Sequence, residues 1–122
     1  MRRKSSLSVE DIWPEYREWI EALEDIARFI VQSNPNVRRV LLFGSMARGT
    51  ADRRSDADVA IILKEDHRRP LDRIPEFLRY FIEAPMPVDV LVYTEDELAQ
   101  MLREGRSFAR HIAEEGRVLA EA

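Results

Sequence analysis

The stretch from Gly44 to Ile62, GSMARGTADRRSDADVAII, constrains the fold more tightly than any other part of this chain. An apolar run, VLLF, stops at Gly44-Ser45. Ten residues later the pair Asp56 and Asp58 opens a second apolar run, VAIIL. The first run, from Val37 to Phe43, reads as a strand. The second, from Asp58 to Leu63, is apolar on both faces beyond its opening acid and reads as a buried strand. So short a connection, holding a turn and a short helix over about 44–51, suggests an antiparallel pair. The end of one strand, at Gly44 and Ser45, is then expected beside the start of the next, at Asp56 and Asp58.

The flanking segments complete a layered pattern. Apolar residues from Ile12 through Tyr16, Trp19, Ile20, Leu23, Ile26, Ala27 and Ile30 to Val31 recur at helical spacing. Pro14 suits the first turn of that helix, with regular structure from about Trp13, and Asn34-Pro35 ends it. Trp13, Tyr16 and Trp19 are read as core. Leu71, Ile74, Phe77, Leu78, Phe81 and Ile82 mark a further helix, stopped by APMP at 84–87. A third strand, from Val88 to Tyr93, follows. Thr94 and Glu97 then form a capping box for a helix that turns Leu98, Met101 and Leu102 inward and stops at Gly105. A last helix from about Ser107 to Glu115 ends at Gly116, and Val118-Leu119 is expected to add a short edge strand. The expected class is α/β (α+β), a small mixed sheet flanked by helices.

That order brings a third acid into the picture. Segment 64–87 is long enough for a helical crossover joining parallel neighbours, which begin at the same sheet edge. Asp89, near the start of the third strand, should therefore arrive beside Asp56 and Asp58. Those two point the same way, because side chains on a strand alternate. Three carboxylates so close repel one another unless a cation or a proton intervenes. Hard oxygen ligands favour Mg²⁺ or Mn²⁺. Two such ions about 4 Å apart suit in-line displacement at a phosphate. Asp56 and Asp58 are assigned to the ion gripping a triphosphate, both also facing the second ion. Asp89 completes the second site and is the candidate to deprotonate an acceptor hydroxyl. Gly44 lets backbone approach a phosphate without a Cβ in the way, and Ser45 with the following helix N-terminus supplies donors. Arg48, one turn along, reads equally as a phosphate ligand or a solvated arginine.

Bulk properties narrow the class. A chain of 122 residues makes one domain, 1–122, with segment 1–7 expected to be disordered. No cysteine is present, which removes disulfides and thiolate metal sites. A net charge of −4 argues against nucleic-acid binding through a broad basic surface. With no span-length apolar run and no signal-like start, the cytoplasm is the expected location. His67 and His111 have no second histidine at ligand spacing and read as surface or packing residues. Glu21, Glu24 and Asp25 read as solvated helix surface, and Glu95, Asp96 and Glu97 as a capped helix start.

At these residues the chain resembles the minimal nucleotidyltransferases of the polymerase-β superfamily. Their signature is Gly-Ser, ten residues, Asp-x-Asp, then a later strand with one more Asp. Here these are Gly44-Ser45, 46–55, Asp56-Ala57-Asp58 and Asp89. EGRVL at 115–119 also resembles the family, while Arg53-Arg54 before the acids is a departure from it. The resemblance implies a polymerase-β-like fold, a Mg²⁺-dependent active site at the three aspartates and ATP as substrate. It further implies a cognate HEPN-type ribonuclease toxin as partner, silenced by transfer of AMP to a tyrosine. Two alternatives stay open: an antitoxin that works by contact with little catalysis, and transfer to a small-molecule hydroxyl such as an aminoglycoside's. The chain lacks the added helical domain usual for the latter.

Overall fold

The computed structural model describes residues 14–50 and 55–122. The expectations at segment 1–7, Ile12, Trp13 and Arg53-Arg54 lie outside the described residues. Helix α1 (Tyr16–Ser33) leads into β1 (Val37–Phe43) and a short α2 (Gly44–Arg48). Then follow β2 (Ala57–Leu63), α3 (Pro70–Leu78) with a 3₁₀ turn at Arg79–Phe81, β3 (Val88–Thr94), α4 (Glu95–Arg103), α5 (Ser107–Glu115) and β4 (Arg117–Glu121). The sheet order is β3-β2-β1-β4. β1 runs antiparallel to both β2 and β4, and β2 runs parallel to β3. A mixed four-stranded sheet flanked by helices is the expected class, with the final edge strand in place on β1.

One face of the sheet carries the larger core. Tyr16, Ile20, Leu23, Ala27 and Ile30 of α1 are buried against Val40, Leu42, Val59, Ile61 and Val92, together with Phe77 of α3. Their spacing of four, three, four and three puts them on one side of the helix, and each large aliphatic contributes about 2 kcal/mol by leaving water. The other face is covered more thinly by α4 and α5, through Leu98, Ala109 and Ile112 against Leu41, Ala60 and Ile62. Both faces of β2 are therefore covered, as its unbroken apolar run requires.

Several details differ from the sequence reading. Regular helix starts at Tyr16 rather than near Trp13, and Pro14 lies in the preceding turn. Proline leaves no N–H to bond, so it fits ahead of the helix as well as within its first turn. Trp19 is partly rather than fully buried. Leu102 is 38% exposed instead of facing inward, because α5 covers only the Leu98 side of α4. Leu71, Leu78 and Ile82 are also exposed. Glu97 completes the capping box with Thr94 as expected, and beyond that reading it accepts from Arg73 at 2.7 Å. Among the described residues, no helix is long and apolar enough to cross a membrane.

Candidate active site

β1 ends where β2 begins, so Phe43 is the register partner of Asp58. On the other side of β2, Asp58 is the register partner of Asp89. Phe43, Asp58 and Asp89 thus form one row across three strands. Ala57 and Val59 point into the larger core, so Asp58 faces the opposite side of the sheet, and Asp89 does likewise between Val88 and Val90. The amide of Ala57 donates to the Pro87 carbonyl at 2.9 Å, which locks the start of β2 to the approach of β3. Asp56 and Asp89 are exposed, whereas Asp58 is half-buried.

The electrostatics follow from this row. Burial, then the charges of Asp89 and Asp56, push the Asp58 carboxyl above its ordinary value, and Arg48 partly opposes them. Asp58 thus senses both other acids. As placed, no three His, Cys, Asp or Glu side chains among the described residues are gathered tightly enough to surround a metal ion. The donor set still fits a hard divalent cation: hard oxygen ligands, with the middle one destabilised by like charge.

Gly44 is required where it stands. Its φ is +74°, a conformation costly for other residues, and a Cβ there would collide with Oδ2 of Asp58 and lie 3.2 Å from its Cγ. The loop thus presses its backbone against the carboxylate, and any side chain would separate them. From Gly44 the chain enters α2 at once. The Ser45 carbonyl accepts from the amides of Gly49 and Thr50, and Gly49, also at positive φ, closes the helix. α2 therefore begins beside Asp58, and the first amides of a helix have no intrahelical partner.

Three further residues support the site and had no assigned part in it. Tyr16 lies in the core as expected, but its hydroxyl also donates to the Met46 carbonyl at 2.6 Å, tying α2 to α1. Phe43 stands beside Asp58 and contacts Phe108 edge-on at 5.6 Å, walling the acidic row on the β1 side. Glu115 at the end of α5 pairs with Arg48 at 3.3 Å, so Arg48 is neither a free surface arginine nor wholly committed. Tyr16 had a sequence signal in its place on an apolar helical face. Glu115 opens the EGRVL stretch, but nothing in the sequence ties it to Arg48, 67 positions away.

With that geometry in place, comparison with known proteins is informative. No curated protein matches the chain significantly. A protein from Sulfolobus solfataricus, assigned as a nucleotidyltransferase, shares the fold at TM-score 0.68 and 20% identity. That match covers 98% of this chain and 93% of the other. A toxin–antitoxin structure with AMP-PNP matches at TM-score 0.56 and 19% identity, over 84% of this chain and 73% of that one. A tyrosine-to-alanine mutant of the toxin–antitoxin MntA-HpeT matches at TM-score 0.53 and 20% identity, over 80% and 71%. At these identities the likeness is one of fold. Residues 23–120 match the family described as the nucleotidyltransferase domain, a span that includes Gly44, Ser45 and all three aspartates. The chain belongs to the nucleotidyltransferase-domain family.

Proposed function

We propose that this protein is a Mg²⁺-dependent nucleotidyltransferase that moves AMP from ATP onto a tyrosine of a HEPN-type ribonuclease partner and thereby acts as its antitoxin. The observation that carries the chemistry is the direct register of Asp58 with Asp89, with the charge of Asp56 also felt at Asp58. Two neighbours in fold are toxin–antitoxin structures, one of them determined with an ATP analogue, which favours a protein partner and an adenine nucleotide.

In this reading Asp56 and Asp58 would hold one divalent ion for the triphosphate, and Asp89 would join them in holding a second. Bound divalent ions would supply Lewis-acid stabilisation of the displaced pyrophosphate. Gly44 admits the phosphates close to the backbone, the α2 amides and the Ser45 hydroxyl donate to them, and Arg48 meets their outer charge. Asp89 takes the proton of the acceptor hydroxyl as its oxygen bonds to the α-phosphorus. Phe43 and Phe108 limit water on the β1 side of the row.

The test is incubation with labelled ATP, Mg²⁺ and the product of the neighbouring gene. The partner should be labelled, and Asp56→Asn or Asp89→Asn should abolish labelling while the fold persists. A chain that labels nothing yet still neutralises its partner would move the function to contact alone.

A further inference from the structure

Helix α2 is five residues long, too short to hold a shape or a direction through its own hydrogen bonds. Its orientation must come from what it is attached to. Two attachments face the larger core. The Met46 side chain is fully buried there, in the same cluster as Tyr16, and the Met46 carbonyl accepts from the Tyr16 hydroxyl at 2.6 Å. The third is the ion pair of Arg48 with Glu115, which is open to solvent on both sides.

The bond from Tyr16 answers a need of the turn itself. In a longer helix the Met46 carbonyl would accept from the Thr50 amide, four residues on. Here both amides within reach, those of Gly49 and Thr50, go to the Ser45 carbonyl instead, as the chain turns off at the positive φ of Gly49. The Met46 carbonyl is thus left without a helical partner in a buried place, where an unpaired acceptor is costly. Tyr16, only 8% exposed and 30 positions earlier, supplies the donor. Its ring is held by the core, so the hydroxyl fixes that carbonyl in turn. Ser45 and Arg48 flank Met46 on the same short helix, and Gly44 at its start lies against the Asp58 carboxylate. A shift of α2 about its core contact would move all three. We propose that Tyr16 is a positioning residue of the nucleotide site: its hydroxyl, through the Met46 carbonyl, sets how Ser45 and Arg48 meet a triphosphate. This role rests on the nucleotide transfer proposed above, in which Tyr16 itself touches neither nucleotide nor acceptor.

Tyr16→Phe removes the hydroxyl and keeps the ring. In the nucleotide-free protein, hydrogen exchange at the Gly49 and Thr50 amides should quicken at least about fivefold, with the α4 amides unchanged. In the labelling reaction the KM for ATP should rise about tenfold, and kcat should change less than about threefold. In an Arg48→Ala background the same substitution should raise KM less, because the guanidinium it would displace is already gone. Tyr80→Phe is the control: it removes a hydroxyl that accepts from Asn34 at 3.2 Å, at the far end of α1, and should leave both KM and α2 exchange unchanged. Unchanged α2 exchange in Tyr16→Phe overturns the anchor, and quickened exchange with an unchanged KM overturns its part in placing the nucleotide. Equal rises in KM for Tyr16→Phe and Tyr80→Phe reduce the effect to general loosening and overturn the role too. A wild-type chain that binds no ATP fails the transfer reading, and the positioning role falls with it, while exchange still reports whether Tyr16 holds α2.

Discussion

Asp58 and Asp89 are direct register partners across the parallel β2–β3 pair, and the charge of Asp89 helps hold the Asp58 carboxyl above its ordinary value. Parallel strands that start at one edge bring their first residues level. A crossover through α3 therefore converts distance along the chain into side-by-side acids. Their repulsion is a standing instability in the fold, of the kind that clusters at functional sites.

That instability has a pH signature. The Asp58 carboxyl lies above its ordinary 3.8 when folded, so the folded state binds that proton more tightly than the unfolded chain does. The penalty is absent below the unfolded value, grows as pH rises through the window between the two, and is complete above the folded one. Asp58→Asn should therefore raise Tm relative to wild type at pH 7 and lose that advantage near pH 3.5, as read by thermal melts across pH. Mg²⁺ titrated at pH 7 should raise the wild-type Tm and leave the variant's nearly unchanged.

Gly44→Ala tests the close approach. The alanine must adopt a left-handed conformation and meet the Asp58 carboxylate, so the fold should lose about 1–3 kcal/mol by chemical denaturation. If the proposed transfer occurs here, it should fall by at least about a hundredfold, because the Gly44 turn and the Asp58 carboxylate can no longer keep their spacing.

Arg48 and Glu115 separate binding from chemistry. Arg48→Ala should raise the KM for ATP about tenfold with a smaller change in kcat, the mark of contact with an already charged triphosphate. Glu115→Gln should change the same constant less, since it frees Arg48 rather than removing it.

Arg73 should prove the most sensitive polar residue for stability. It is buried, pairs with Glu97 at 2.7 Å, and donates to the carbonyls of Arg68 and Val92. Arg73→Ala should cost about 2–4 kcal/mol, measured by urea unfolding. Arg73 also holds the Glu97 carboxyl below its usual 4.5. The stability from that pair is thus present above pH 4.5 and lost as pH falls through the folded value, and Glu97→Gln should remove that part of the acid transition.

Much of the architecture was legible from local patterns. The Gly-Ser break, the Asp-x-Asp opening and the turn at 84–87 mark strand ends because glycine, proline and strand-opening acids act on their own backbone. The capping box at Thr94 and Glu97 is equally local. Leu71, Leu78, Ile82 and Leu102 show the limit of such patterns. Helical periodicity reports an apolar side but not whether another element covers it.

By itself, the sequence determined the alternation of helices and strands, the two-residue spacing of Asp56 and Asp58 at the opening of β2, and a glycine where φ must be positive. All of these depend on neighbours within a few bonds. Only the tertiary structure decided that Asp58 meets Asp89 in register, that Tyr16 anchors α2, that Glu115 reaches Arg48, and that Arg73 is buried beside Glu97. Those pairings arise when the sheet and its crossover close. Each joins groups remote in the chain, and their energy depends on burial and shared charge rather than on any residue's own preference.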